Sequence, residues 1–454
     1  PNRFIDYEEV LFGEEGFISE TSVSASGGTE RTKFYVSGLA HTEDGIVKHT
    51  GYDKFSARFN LDHKISERAD LRISTNYAHT ESDRSITGND NTNTTLGFSL
   101  AFTPSFYDIR PKEVGGELVY PDHLFNPSNP IQTRDLLVNN EKVNRYVFAG
   151  NFRFNLSRGQ RHTFDFLAQG GVDYYTQENR VISPPELQFE RNSQFPGQSL
   201  FATTDNINSN LYLNLVYRFS TESNVLFTTQ GGVQFENKNQ TYTLTAAKGI
   251  TPTQSNIDLA AALDALQDRT IQRERGFFVQ EEINIQEKFF LTLGVRGDAS
   301  SANGNPDKYF LYPKAAASVR LSKLLGFGEE GSISELKLRG AFGATGNLPR
   351  PDAKYLSFIP ANIGNRGGVL PASLKGNPNI KPERSEELEL GFDATLLQER
   401  ATVEFTYYNK KTKDLILVQD LPPSSGFTAE VINGAEMTTW GIEASLGLVP
   451  VHSA

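Results

Sequence analysis

Two stretches of the sequence set aromatic rings beside hydrogen-bonding groups. "FTPSFYDIRP" places Phe106 and Tyr107 next to Asp108 and Arg110, and "LVYPDHLFNP" places Tyr120 and Phe125 around Asp122 and His123. A flat apolar face with polar groups at its edge suits a sugar ring or a peptide side chain. The same four rings would also serve as loop packing or as an interfacial belt. Aspartate and asparagine oxygens, the hard ligands that calcium takes, concentrate in "GNDNTN" (88–93) and "DASSANGNPD" (298–307). Neither carries the terminal glutamate of an EF-hand, and solvated turns share that composition. "SNIDLAAALDALQDR" (255–269) spaces Leu259, Leu263 and Leu266 as one face of a short helix, to be packed on a neighbouring loop or on a partner.

No catalytic set emerges. The seven histidines, His41, His49, His63, His79, His123, His162 and His452, are scattered, with no His-Glu-x-x-His spacing for a metal. A Gly-x-Ser-x-Gly elbow is absent, and "GGTERTK" lacks the spacing of a phosphate loop and reads as a hairpin turn. Cysteine is absent too, which removes thiolate nucleophiles, disulfides and Cys-bound metals together. A net charge of -11 argues against nucleic acid as a partner. The expectation is a binding or transport protein with no cofactor, not an enzyme.

What must position those loops is a long series of strands. In "YDKFSARFNLDHKI" one face is Phe55, Ala57, Phe59, Leu61 and Ile65, and the other is Lys54, Ser56, Arg58, Asn60, Asp62 and Lys64. "NRYVFAGNFRFNL", "HTFDFLAQGGVDYY" and "NLYLNLVYRFS" repeat the alternation, with Arg153 and Arg218 on polar faces; Arg72 and Arg296 take the same place in their strands. About fifteen such segments recur, most of them longer than the usual strand of roughly 5–6 residues. One departs from the pattern: in "GFFVQEEINI" Glu281 interrupts the apolar set Phe277, Val279, Ile283 and Ile285, which predicts a bulge or a change of face.

The connections alternate in length. "SGGTERTK", "ISERAD", "SRGQRH", "FSTESN", "IQEK" and "LLQERA" are tight polar turns, whereas the gaps at 81–143, 177–206, 237–274, 346–383 and 413–432 are long. Short turns on one rim and long loops on the other are how outer-membrane barrels are built, with lipid on the apolar face and a wet or filled interior on the polar one. The fold expected is all-β, an antiparallel transmembrane β-barrel with short periplasmic turns and long extracellular loops. No run of about 18 apolar residues offers a helical span instead.

"GNPNIKPERSEELELGFD" (376–393) resembles the Asn-Pro-x-Leu/Ile-Lys-Pro-Glu segment of TonB-dependent outer-membrane receptors, here Asn377, Pro378, Lys381, Pro382 and Glu383. Pro378 and Pro382 lack backbone donors, so a strand starts only after them, and the motif marks architecture. "SVSASGGTERTKFYVSGLAHTEDGIVKHTGYDKFSARFNLDHKIS", "YFLYPKAAASVRLSK", "LKLRGAFGATGN", "VEFTYYNKKTKDLI" and "GAEMTTWGIEASLGLVPV" are similar to the SusC-like branch of Bacteroidota, in the same order. The resemblance implies a barrel of about 22 strands, preceded by a small N-terminal domain, a TonB-box and a plug. Residues 1–454 are then expected to be a partial barrel domain, with the plug, the N-terminal domain and the remaining strands outside it. It further implies import of glycan oligomers or peptides with a SusD-like surface lipoprotein, energy from TonB through the region outside this chain, and outer-membrane lipid around the wall. The alternative is a non-transporting barrel that serves as an adhesin or structural surface protein.

Overall fold

The computed structural model describes residues 4–88, 93–251, 256–327, 331–364 and 366–450. One 15-stranded sheet dominates, and every strand in it is hydrogen-bonded to its sequence neighbours in the sheet, all antiparallel. We number these strands β1 (Ile18–Gly28), β2 (Thr32–Asp44), β3 (Gly51–Ser66), β4 (Ala69–Asp83), β5 (Val138–Arg158), β6 (His162–Ser183), β7 (Gln198–Ser220) and β8 (Val225–Lys248). They continue as β9 (Ala262–Ile285), β10 (Phe289–Ser300), β11 (Phe310–Arg320), β12 (Ile333–Asn347), β13 (Glu383–Leu396), β14 (Ala401–Lys413) and β15 (Glu436–Leu448). No helix among the described residues is long and apolar enough to cross a membrane.

The sheet has two unlike faces because alternate side chains point to opposite sides. Outward stand Phe55, Phe148, Leu215, Leu390 and their like, half exposed. Inward stand charged groups that pair with one another across strands: Arg153 with Asp70, Arg145 with Asp173, Arg218 with Asp165, Arg320 with Glu335 and Arg339 with Asp393. An apolar surface of this extent has no inner partner to cover it, whereas lipid covers it without cost. The two clusters of buried apolar residues lie outside the sheet, in the loops. The wall is the all-β meander expected from the alternation.

Three expectations are corrected. The predicted helix over 255–269 is instead a 3-10 turn at Ile257–Leu259 followed by the start of β9, where Leu266 pairs with Leu244. Continuous ladder pairing with β8 outweighs helical spacing there, and Leu263 and Leu266 fall on opposite faces. The gaps at 177–206 and 237–274 are mostly strand: β5 to β9 run for 21, 22, 23, 24 and 24 residues. Their upper halves carry Thr, Asn and Gln on both faces, so they show no apolar alternation even where one face is covered, as at Ala202, Thr204 and Asn206. Finally, no bulge redirects Glu281. The register of β8, β9 and β10 is unbroken around it, and it stays on the outward face between Thr229 and Leu293.

Candidate functional site: the outer loops and the inward wall

The connections at one rim are short, at 29–31, 67–68, 159–161, 221–224, 286–288 and 397–400, with a one-turn helix, Leu321–Leu325, in the longest. The opposite rim carries 84–137, 184–197, 301–309, 348–382 and 414–435. These loops are stitched into two platforms.

The first joins the helix Tyr7–Phe12 to loops 84–137 and 184–197. Ile5, Tyr7, Leu11, Ile109 and Ile131 form its apolar centre. Asn129 is buried and uses all of its amide: Oδ1 caps the helix Pro130–Leu136 by accepting from the Ile131 and Gln132 amides, and Nδ2 donates to the carbonyls of Ile109 (2.9 Å) and Pro121 (2.7 Å). Gln132 receives the Gln188 amide at 2.9 Å and donates to the Glu186 carbonyl at 2.8 Å. Gln188 in turn accepts from the His123 amide at 2.8 Å and donates to its carbonyl at 2.9 Å.

His123 sits at the centre of this seam. The Phe125 amide donates to its Nδ1, and Thr103, whose hydroxyl donates to the Ser99 carbonyl, accepts from its Nε2 at 3.0 Å. Those roles require the neutral ring, and burial holds its pKa below the usual histidine value.

Of the aromatic candidates, Tyr107 and Tyr120 pack against the apolar centre. Tyr107 donates to the Asp122 carbonyl, while its own carbonyl receives the Tyr7 hydroxyl. The Tyr120 hydroxyl donates to Asp135 at 3.0 Å, and burial, with the Asp135 charge, pushes its pKa up to about 12. Phe106 and Phe125 project instead, 79% and 63% exposed. The platform thus brings two of the four into a framework and leaves Phe106 projecting, with Phe125 exposed but set edge-on to the His123 ring at 6.3 Å.

The second platform is built on the Asn377–Glu383 motif. The Asn377 side chain accepts from the Asn379 amide at 2.9 Å, closing a tight turn, and Ile380 behind it is buried with Ala353 and Val431. Gly304 is needed beneath the turn: a Cβ there would lie 2.2 Å from the Pro378 carbonyl oxygen. Lys381 pairs with Asp414 at 2.8 Å, and Asn433 brackets the Lys381 backbone, accepting from its amide and donating to its carbonyl. Pro382 is buried just before β13 begins. Glu383 accepts from the Ile416 amide at 2.8 Å and from Asn347 at 3.0 Å. The motif therefore binds loops 301–309, 348–382 and 414–435 together and fixes where the chain re-enters the wall.

Below the loops, an inward cavity of about 690 Å³ near the short turns is lined by Lys33, Asp62, Asp70, Arg72, Arg153 and Asn214, among others. Its mixed charges suit a polar filling. The calcium candidates fare differently. Residues 89–92 of the first lie outside the described residues, and in the second Asp298 is engaged by Arg296 and Asp307 by Arg275. Among the described residues no group of three or more His, Asp or Glu is placed to hold a metal. The linking amides Asn129, Gln132, Gln188 and Asn433 escape sequence reading; only "NP" at 129–130 carries a signal, an N-cap followed by Pro at the first helical position.

A profile of the family described as TonB dependent receptor-like, beta-barrel matches residues 20–449. TonB-dependent receptor P26 of Formosa agariphila is 25% identical over 100% of this chain, which covers 45% of that relative. TonB-dependent receptor SusC of Bacteroides thetaiotaomicron is 21% identical, with 98% of this chain and 46% of the relative covered. Among solved structures, the RagAB peptide transporter superposes with a TM-score of 0.80 at 19% identity, covering 98% of this chain and 50% of that one, a likeness of fold. The chain spans about half the length of the relatives it matches. It belongs to the TonB-dependent receptor β-barrel family, and its wall is that of an outer-membrane barrel.

Proposed function

We propose that this chain forms the wall and outer vestibule of a TonB-dependent importer of glycan oligomers or peptides, working with a SusD-like surface lipoprotein. The observation that carries the reading is the family match along nearly all of the chain. The named relatives add SusC and a peptide transporter. In this reading the stitched platforms present ligand-facing aromatics, Phe106 and Phe125, with Tyr107 and Tyr120 as their framework. The lipoprotein closes over the long-loop rim, and a plug moved by TonB fills the charged interior.

Uptake of labelled oligosaccharides and peptides is the test, in cells carrying or lacking the complete gene. Import should require the gene and collapse when the proton gradient is dissipated. Uptake that is equal with and without the gene leaves the adhesin or structural reading in its place.

A further inference from the structure

The long strands β5 to β9, levelled by the short turns below, stand above the rest of the sheet. This raised wall is closed on one side and open on the other. At its β5 side the ladder with β4 reaches Asn140, close to the start of the strand at Val138. At its β9 side the ladder with β8 runs the whole length from Ala262 to Ile285, but the ladder with β10 begins only at Glu274. Residues 262–273 of β9 therefore have a strand on one side alone.

Arg273 shows which backbone groups point to the open side: its carbonyl accepts from the Ser301 amide at 2.8 Å, in line with β10. Strand alternation turns the N–H and C=O of Ile271, Arg269, Gln267, Ala265 and Leu263 the same way. None of these groups has a partner among the described residues. Past Ile271 the outward side chains are Arg269, Gln267 and Ala265, and residues 263–269 are exposed on both faces, so the edge stands in water. Such edges are normally guarded by proline, a bulge or lysine. This one has none of the three: neither residue type occurs in β9, and its register with β8 is unbroken. By contrast, the exposed hairpin of Phe358–Ile363 with Arg366–Pro371 on the same rim carries Pro360 in one strand and Pro371 in the other.

We propose that this edge receives extended peptide cargo by strand addition. The peptide pairs antiparallel with residues 263–271 and, while it is held, forms the next strand of the raised wall. Only a polypeptide repeats N–H and C=O every two residues, about 6.8 Å along a strand, and the hydroxyls of a glycan have no such repeat. The edge is about 27 Å long, which a peptide of about nine residues covers. Leu266, Asp268, Thr270 and Gln272 face the mouth of the barrel, so the added strand turns alternate side chains into the vestibule. Leu266 on that face, with Leu263 and Ile271 on the other, each 51–55% exposed, offers apolar contact on both sides. Two copies in one membrane share the same up-and-down sense, so their edges meet only in parallel, the weaker ladder, whereas a free peptide takes the antiparallel one. The inference rests on the importer reading and narrows its cargo to peptides.

The test uses the complete protein, purified in detergent without TonB, with fluorescence anisotropy as the readout. The probes are a labelled peptide of alternating valine and threonine, about nine residues long, the same peptide with every amide N-methylated, and a linear glucan oligosaccharide as competitor. The first peptide should bind, the methylated one should not, and the glucan should displace nothing. Gln267→Pro deletes an edge N–H that the β8 ladder does not use, and should weaken the peptide by about tenfold or more. Gln267→Thr loses the same side-chain contact to Thr243 but keeps the N–H, and should bind like the parent. Undiminished binding by Gln267→Pro overturns the proposal. So does equal binding of the methylated peptide, which involves no variant, displacement by the glucan, or no binding at all. Dimerisation of the parent that Gln267→Pro alone abolishes overturns it in favour of a second copy. Peptide binding without uptake in cells would sink the importer reading and keep the strand addition, and uptake without binding would do the reverse.

Discussion

At the scale of single residues, Glu281 is the outlier of the wall. Its side chain faces outward among Val279, Ile283 and Leu293, and the Thr229 hydroxyl donates to one of its oxygens at 2.6 Å. The other oxygen is buried without a partner. Two outward side chains, Ile283 and Ile285, separate it from the short turn at 286–288, so it lies toward the periplasmic boundary, where a polar group costs least. Replacing the pair together (Thr229→Val, Glu281→Leu) removes both polar groups at once. The double variant is expected to gain about 1 kcal/mol in unfolding from detergent or bilayer. A loss of similar size would show that the carboxylate serves a partner in the membrane plane. Asn129 is the contrasting case, a buried amide with every donor and acceptor used, and its cost of burial is met.

At the scale of elements, the seam between loops 84–137 and 184–197 turns on a neutral histidine. His123 has its pKa depressed by burial, so the folded loops bind fewer protons there than the unfolded chain. The stability it contributes is present above the unfolded value of about 6.5 and is lost as pH falls toward the folded one. Glu190 works in the opposite sense. Burial raises its pKa, so its contribution is present at low pH and is lost as pH rises through the folded value. Protection factors of the Phe125 and Gln188 amides, taken against the intrinsic exchange rate at each pH, should therefore fall between pH 7.5 and pH 5.5 in the parent and change little in His123→Gln. A fall in protection that persists in the variant would move the switch elsewhere. Nothing in the sequence around "PDHLFNP" announces this seam, since its partners Gln132 and Gln188 are ordinary loop amides. The membrane halves of the strands were legible because lipid on one side and water on the other force a period of two. The upper halves of β5 to β9 were not, because away from lipid neither face has to be apolar, and even covered positions such as Thr204 and Asn206 are polar while the ladder persists. Leu259, Leu263 and Leu266 misled for the same reason, their helical spacing being one arrangement among several that a wet strand tolerates. The motif at 377–383 could be read as a strand entry from its two prolines, but its grip on Asp414, Asn433 and Ile416 depends on residues far away in sequence.

At the scale of the whole molecule, the sheet is an open one. Its margins are β1 and β15, and in the described residues neither pairs with the other. Their outward and inward faces are exposed almost throughout, with Val23, Trp440, Ile442 and Leu446 all above 60%. Unpaired backbone at a sheet margin costs several kcal/mol per group in hydrocarbon, so the wall is stable in a bilayer only if those edges are met by further strands. Residues 1–454 expressed and refolded alone are therefore expected to associate edge to edge. They should give no uniform single-channel conductance in planar bilayers and no heat-modifiable band on electrophoresis, whereas the complete protein gives a single folded band. A discrete folded monomer from residues 1–454 alone would mean that β1 and β15 can close upon one another. The interior would then be narrower than one built from additional strands, and the charged rows headed by Arg145, Arg218 and Arg339 would have to face each other across it.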